Sequence, residues 1–168
     1  MFKVAVIMGS KSDFEVCAPA VKVLRKFGVK TEVLIMSAHR TPDAAHEFSV
    51  NARKNGFGAI IAAAGKAAHL AGVLAAYTTL PVIGLPVKSS TMDGLDSLLS
   101  VVQMPSGIPV ATVAINGAEN AGLLAVQILS LNDEKLAKAL LDYKADMANA
   151  VKKDNANLQK ELDELLKK

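Results

Sequence analysis

The sequence is poor in cysteine and in aromatic residues. It has one cysteine, Cys17, and no tryptophan, and aromatic residues make up 4% of its 168 positions. A single cysteine excludes an internal disulfide and a zinc site built from cysteines. The formal net charge is +3, and no basic stripe interleaved with aromatic residues is present. We therefore expect no nucleic-acid partner.

Long apolar runs and leader patterns are also lacking. Lysine and histidine interrupt the apolar middle of the chain, so no run is long enough to cross a bilayer. The chain begins directly with a strand-like segment and shows no signal-peptide pattern. We expect a cytoplasmic protein without a membrane partner. The sequence also lacks a nucleophile elbow, a His-x-x-x-His pattern and an acidic cluster, so no metal site is predicted.

What the sequence does contain is a regular alternation of apolar runs and helical patterns. The strand-like runs are Phe2–Met8, Thr31–Met36, Ala59–Ala64, Val82–Leu85 and Val110–Ile115. The helical patterns are Asp13–Phe27, Pro42–Asn55, Ala67–Thr78, Gly94–Gln103 and Asn120–Ser130. This alternation predicts an α/β fold with three layers, α/β/α, around a central parallel sheet of the flavodoxin-like or Rossmann-like kind. The strands lack polar alternation, which predicts that both faces of the sheet are buried.

Local signals mark where several helices begin and end. A capping box is predicted at the start of the first helix, and an N-cap with a first-turn proline at the start of the second. A left-handed glycine is predicted after each of these two helices. The residues concerned are Ser12 with Glu15, Thr41 with Pro42, Gly28 and Gly56.

The last part of the chain has a different pattern. Residues 1–132 are predicted to form the α/β domain, and residues 133–168 a helical extension of the same domain. Apolar residues recur there at spacings of three, four and seven, at Leu136, Leu140, Tyr143, Met147, Val151, Leu158, Leu162 and Leu165. This amphipathic helix could pack on its own domain or on a neighbouring subunit. We favour a subunit interface, because the stripe is longer than a domain of this size needs.

The loop after the first strand has the composition of an anion site. It reads Gly9-Ser-Lys-Ser-Asp13 and leads into a helix, whose free N–H groups and dipole favour an anion. The hydroxyls of Ser10 and Ser12 could donate to phosphate, and Asp13 could accept from sugar hydroxyls. The loop has one glycine, so it matches neither a dinucleotide-binding nor a Walker loop. An alternative is that Ser12 and Asp13 only stabilise the helix start.

Two further loops carry histidine and arginine. Ser37-Ala-His-Arg-Thr-Pro42 follows the second strand, and it offers Arg40 for phosphate and His39 for proton exchange near neutral pH. The alternative is an ordinary surface pair. The third loop, Ala62–Leu70, contains Gly65 and His69. His69 could be a polar ligand contact or a hydrogen-bonded structural residue. The carboxyl ends of parallel strands meet at one edge of a sheet, so we expect all three loops to lie together.

These loops resemble those of the N5-carboxyaminoimidazole ribonucleotide mutase family, class I of the PurE enzymes. The resemblance is carried by Gly9-Ser-Lys-Ser-Asp13, Ser37-Ala-His-Arg-Thr-Pro42, Ala67-Ala-His-Leu70, Gly94-Leu-Asp-Ser-Leu98, Val102-Gln-Met-Pro105 and Gly107-Ile-Pro-Val110. It runs in unbroken order from about residue 2 to residue 130. A sister group carboxylates aminoimidazole ribonucleotide directly with CO2 and typically has lysine where this chain has Arg40.

The resemblance implies an isomerase of purine biosynthesis that moves a carboxyl group from a ring substituent nitrogen to a ring carbon, without a cofactor. It implies a homo-octamer with active sites near subunit contacts. His39 would be the general acid and base. Ser10, Ser12 and Asp13 would hold the phosphoribosyl group, with Ser37 and Arg40 at the phosphate. His69 and Gly65 would line the base and its carboxylate. Further substrate contacts are expected from Ala38, Lys66 and Leu70.

The chain departs from the family pattern beside the third loop. Ala63-Ala-Gly-Lys66 stands where the family usually has Gly-Ala-Gly-Gly, Ala71-Gly-Val73 replaces Pro-Gly-Met, and Phe14 replaces a common tryptophan. Lys66 is the most consequential change, because it puts a long cation where a glycine borders the substrate. Two hypotheses stay open. Lys66 either faces the substrate carboxylate or solvent and leaves activity intact, or it marks a site that binds nucleotide without turnover.

Overall fold

The protein is a three-layer α/β/α structure, as the sequence predicts. The computed structural model describes residues 2–167; Met1 and Lys168, at the ends of the predicted ranges, lie outside them. The described chain forms five parallel strands in the order β2-β1-β3-β4-β5. The strands are β1 Lys3–Met8, β2 Thr31–Ile35, β3 Phe57–Gly65, β4 Val82–Val87 and β5 Ala111–Thr112. The helices are α1 Phe14–Lys26, α2 Pro42–Ala52, α3 Leu70–Tyr77, α4 Leu95–Val102, α5 Ala118–Ser130 and α6 Glu134–Leu166.

The central strands divide their side chains between two cores. Val4, Val6 and Met8 of β1 face the helices α1, α5 and α6, whereas Ala5 and Ile7 face the opposite layer. That opposite core contains residues of α2, α3 and α4. Because both faces of β1, β3 and β4 are covered, continuous apolar runs are the stable choice for these strands.

Burial on both faces does not extend to the sheet edges, where the prediction is wrong. β2 forms one edge, and its Val33 and Ile35 side chains are 37% and 58% exposed. β5 forms the other edge and pairs only with Ile83 and Gly84 of β4, so it is much shorter than the predicted run. An edge strand has a neighbour on one side only, and fewer layers pack over it.

The predicted strand end at Leu85 is also wrong, because β4 continues to Val87 and buries every one of its six residues. Gly84 and Pro86 therefore lie inside the strand. A Cβ at Gly84 would approach Val101 Cγ1 to 2.2 Å, so only glycine fits beneath α4. Pro86 lacks a backbone N–H, and it is tolerated because β5 does not extend far enough to pair with it. The Pro86 carbonyl accepts a hydrogen bond from the Asn116 N–H at 2.9 Å.

The helix boundaries confirm some of the local signals. Gly28 and Gly56 have φ values of +71° and +82°, the left-handed conformation predicted for them. The capping box is wrong, because residues 11–13 form a short 3-10 helix before α1. Ser10 caps that turn by accepting from the Ser12 N–H. At the start of α2, Pro42 occupies the first turn as predicted, whereas Thr41 makes no side-chain cap.

The final helix extends well beyond the core. Asp133 caps α6 by accepting from the N–H groups of Lys135 and Leu136, and Leu136 is buried in the core that also contains residues of α1 and α5. Further along, the apolar stripe is exposed, at Met147, Val151, Leu158, Leu162 and Leu165. The helix is present as predicted. Its assignment to a subunit interface stays a prediction. No helix within residues 2–167 is long and apolar enough to cross a membrane.

Candidate active site

A cavity lies at the carboxyl edge of the sheet, between β1 and β3, where the order of the strands reverses. In an open parallel sheet this switch point leaves a crevice between loops that turn to opposite faces. The cavity has a volume of about 620 Å³ and is lined by the loops that follow β1, β2, β3 and β4. Such a volume suits a small-molecule ligand.

All the predicted site residues line this cavity. They are Ser10, Ser12, Asp13, Ser37, Ala38, His39, Arg40, Gly65, Lys66, His69 and Leu70. Their proximity is a matter of geometry, and the role of each residue stays a prediction. His46, the remaining histidine, lies outside the cavity on α2, where its ring packs edge-on against Tyr77 with centroids 4.5 Å apart.

Backbone hydrogen bonds hold three of the loops together beyond the ends of the strands. The Met36 N–H donates to Met8 O at 3.0 Å, and the Gly9 N–H donates to Ala63 O at 3.1 Å. These bonds continue the sheet pairing by one residue on each side of β1. The residues that follow them are therefore brought into register with one another, so that side chains 30 positions apart in sequence can meet.

His39 and His69 are in direct contact. The Nε2 atom of His39 lies 2.8 Å from the Nδ1 atom of His69, and the two rings meet edge-on with centroids 5.0 Å apart. One nitrogen must donate and the other must accept, so this bond accommodates one proton between the two atoms. Each ring keeps a second nitrogen for another partner. The pair is thus able to exchange a proton with a ligand while its own hydrogen bond remains intact.

Arg40 is anchored to the loops after β1 and β2. Its Nη2 donates to Gly9 O at 2.8 Å, and its backbone N–H donates to Ser37 Oγ at 3.1 Å. Thr41 Oγ1 in turn donates to Ser37 O at 3.1 Å and accepts from the Ser37 N–H at 2.9 Å. These contacts fix the guanidinium at the cavity wall, and a planar fork so placed fits phosphate or carboxylate.

The hydroxyls of the first loop face one another. Ser12 Oγ lies 2.9 Å from Ser10 Oγ and 3.3 Å from Asp13 Oδ1. Burial raises the pKa of Asp13 above its ordinary value, although the Ser12 hydrogen bond and the charge of Arg40 oppose the shift. The cluster offers hydroxyl donors to an anion and a carboxylate to sugar hydroxyls.

The loop after β4 is a part of the cavity that the sequence interpretation missed. Lys88, Ser89 and Ser90 line the cavity with Val87. The strand was predicted to end at Leu85, so these residues were not read as following a strand end. Their pattern, a buried strand followed by lysine and two serines, is the same signal that identified the first loop.

Metal ligands are not clustered at this site. Within residues 2–167, no group of three or more His, Cys, Asp or Glu side chains is arranged to hold a metal ion. The cavity instead presents two imidazoles, hydroxyls and cationic groups. These are the groups needed to hold an anionic small molecule and move a proton.

Comparison with known proteins finds a matching family and close sequence relatives. The family model described as AIR carboxylase matches residues 3–150. An N5-carboxyaminoimidazole ribonucleotide mutase of Thermotoga maritima is 53% identical over 151 residues, which cover 90% of this chain and 88% of that protein. The mutase of Pyrococcus abyssi is 56% identical over 147 residues, covering 88% of this chain and 84% of the relative.

Two further comparisons extend the similarity. A chloroplastic phosphoribosylaminoimidazole carboxylase of Vigna aconitifolia is 51% identical over 154 residues, which cover 92% of this chain and 28% of that longer protein. The crystal structure of Treponema denticola PurE superposes with a TM-score of 0.85 at 29% identity, covering 92% of this chain and 97% of that one.

Proposed function

The chain belongs to the AIR carboxylase family, and on that premise we propose that it is an isomerase that converts N5-carboxyaminoimidazole ribonucleotide to 4-carboxy-5-aminoimidazole ribonucleotide. This chain aligns with most of the length of the mutase relatives named above, which supports the reaction. The single structural observation that carries the proposal is the His39–His69 pair inside a cavity rich in anion-binding groups.

The phosphoribosyl group is assigned to the side of the cavity formed after β1 and β2. Ser10, Ser12 and Ser37 supply hydroxyl donors, and Arg40 supplies a charged fork anchored to Gly9 O. Asp13 accepts from the ribose hydroxyls. Strong charge-assisted contacts to the phosphate hold the ring in one orientation, which is the condition for rapid reaction between neighbouring groups.

The proton transfers are assigned to His39. Protonated His39 donates to the substituent nitrogen as the N–C bond breaks and CO2 leaves, and aminoimidazole ribonucleotide remains in the cavity. The ring carbon then attacks CO2, and His39 removes the proton from that carbon. The histidine ends in its starting state, so the net reaction is an isomerisation. General acid–base catalysis of this kind contributes about 10²–10⁴-fold.

The second histidine is assigned to the base and carboxylate side, together with the backbone at Gly65 and the contacts of Ala38 and Leu70. Because His69 is bonded to the Nε2 atom of His39, the other ring nitrogen of His39, Nδ1, is the one left for the substrate. The pair then keeps its internal hydrogen bond through both proton transfers. The fixed ring does not have to reorient between donating and accepting.

We further propose a homo-oligomer, an octamer in the form that the resemblance implies, acting in the cytoplasm where its phosphorylated substrate is retained. Three apolar residues on one side of α4, Leu95, Leu99 and Val102, are 44–47% exposed. The stripe on the distal part of α6 is exposed as well. Surfaces of this kind favour a protein partner. Light scattering is the measurement, and a monomer at micromolar concentration would contradict this part of the proposal.

The reaction is tested by following the interconversion of the two carboxylated ribonucleotides by absorbance, without added bicarbonate. Wild-type protein is expected to be active, and His39→Asn inactive with its fold retained. His46→Asn is the matched control, because this histidine lies outside the cavity and its loss should leave the rate unchanged.

Two outcomes would redirect the assignment. Activity that appears only with bicarbonate and aminoimidazole ribonucleotide would indicate direct carboxylation of aminoimidazole ribonucleotide. Well-folded wild-type protein that binds the ribonucleotides without converting them would contradict catalysis altogether and leave a nucleotide-binding protein.

A further inference from the structure

Lys66 is distinctive among the cations that line the cavity. Lys88 forms an ion pair with Asp93, with a distance of 2.6 Å between Nζ and Oδ1, and Arg40 donates to Gly9 O. None of the three ion pairs found within residues 2–167 includes Lys66. Its side chain is exposed at the cavity wall. The charge of Lys66, like that of Arg40, is therefore not neutralised by any carboxylate of the described chain, but unlike Arg40 its side chain makes none of the hydrogen bonds found there.

The backbone at this position is unfavourable for lysine. Lys66 has a φ of +57°, in the left-handed region. Within residues 2–167, the other two non-glycine residues in that region are Asp93 and Asn116, whose short polar side chains tolerate it. Lysine has no such compensation, since its Cβ meets the following carbonyl and its ammonium is too distant to bond the local backbone. A strained residue at a ligand cavity points to a role for its side chain.

The position of Lys66 separates it from the phosphate side. It directly follows β3, which lies between β1 and β4 in the sheet, and it comes three residues before His69. Arg40 and the hydroxyls of Ser10, Ser12 and Ser37 belong to the loops after β1 and β2, which the function proposed above assigns to the phosphoribosyl group, whereas Lys88, Ser89 and Ser90 follow β4. A ligand with its phosphate on the loops after β1 and β2 therefore places its ring, and any second anionic group, toward the histidine pair and the β3 loop.

From these observations we propose that Lys66 binds the carboxylate of the substrate and makes the site selective for carboxylated over uncarboxylated aminoimidazole ribonucleotide. The proposal rests on the function proposed above. It also predicts how Lys66 affects substrate binding and how it affects the catalytic rate. The carboxylate is anionic in both substrate and product, whereas the CO2 released between them is neutral. Lys66 therefore stabilises the two end states more than the state that separates them.

The decisive test is binding measured by calorimetry in the His39→Asn background, where ligand is not turned over. The two probes are 4-carboxy-5-aminoimidazole ribonucleotide and 5-aminoimidazole ribonucleotide, which lacks the carboxylate. Lys66→Gly is expected to weaken the first about tenfold, the loss of one charge-assisted hydrogen bond, and the second less than twofold. Lys66→Arg should restore most of the discrimination.

The control is Lys30→Gln, which removes the same charge from an exposed lysine at the opposite edge of the sheet, beside the start of β2. It should change neither affinity. Equal weakening of both probes by Lys66→Gly, or no change in either, would overturn the proposal. Because binding is read directly, this result stands whether or not the wild-type protein proves to be a mutase.

A kinetic readout tests the same residue in the otherwise unaltered protein. Lys66→Gly is expected to raise KM for the carboxylated substrate about tenfold and to raise kcat as well, because the interaction is stronger in the bound carboxylate than in the transition state that leads to neutral CO2. A fall in kcat with KM unchanged would instead place Lys66 on the CO2 intermediate and overturn the selectivity assignment.

Discussion

Lys66→Gly is expected to stabilise the protein while it impairs carboxylate binding. The φ of +57° places the lysine Cβ where an L residue is strained by about 1–2 kcal/mol. Glycine relieves this strain. It also makes the unfolded chain more flexible, which lowers the free energy of unfolding by roughly 0.4–1 kcal/mol. The side chain is exposed, so little packing is lost. The difference between these two ranges is a gain of about 0–1.6 kcal/mol in the free energy of unfolding, with a middle value of about 0.8 kcal/mol.

The assay is guanidinium denaturation at one fixed protein concentration, since association would otherwise change the apparent stability. The midpoint should rise with the slope unchanged, and the thermal midpoint should rise by about 2–3 °C for a chain of this length. Lys66→Ala is the matched control. It removes the ammonium and keeps the Cβ, so its stability should stay within about 0.5 kcal/mol of the wild type.

Two results would refute this reasoning. If Lys66→Gly is less stable than the wild type, the lysine side chain stabilises the fold through contacts that outweigh its backbone strain. If Lys66→Ala gains as much as Lys66→Gly, the gain comes from removing charge and not from relieving strain. In either case the backbone conformation would no longer support a functional reason for the lysine.

Two other groups at or near the site give further predictions. Burial raises the pKa of Asp13, so the folded state binds a proton more tightly than the unfolded chain, and stability falls as pH rises above the ordinary value of 3.8 through the folded pKa. Asp13→Asn should therefore be more stable than wild type at pH 7 in denaturant titrations, with the difference disappearing below pH 3.8; a pH-independent difference would contradict this cause. Burial likewise raises the pKa of the Cys17 thiol to about 12, so a thiol reagent at pH 8 should label the denatured chain and not the native one, and rapid native labelling would contradict the burial.

The central part of the fold was predictable because local and tertiary preferences agree there. β1 and β3 are apolar without alternation and buried on both faces, which is the pattern that parallel strands require. At β4 the two preferences conflict. Proline at position 86 indicates a strand end when only the local sequence is considered. The strand nevertheless continues, because β5 is too short to need a backbone N–H donor at that position. The extent of a neighbouring strand cannot be read from the proline itself.

The candidate site, too, could be predicted from the sequence only in part. The sequence was sufficient to predict that His39 and His69 lie at one edge of the sheet, because the carboxyl ends of parallel strands meet there. It could not give their direct hydrogen bond, which depends on how far each loop extends past its strand. The sequence did not identify the loop after β4, with Ser89 and Ser90, because the predicted strand ends two residues before the observed one.

Sheet order also explains why the chemistry divides as it does. β1 lies between β2 and β3, and its last carbonyls and the Gly9 peptide accept or donate to both neighbouring loops. Arg40 from the β2 side bonds to Gly9 O, which fixes the anion-binding groups on β1 and β2. In the function proposed above, the β3 loop carries Lys66 and His69 toward the base and its carboxylate, and His39 reaches the same region from the loop after β2. If the proposed subsites are correct, lysine at position 66 alters recognition of the carboxylate without disturbing the phosphate side, because Lys66 follows β3 whereas Arg40 follows β2.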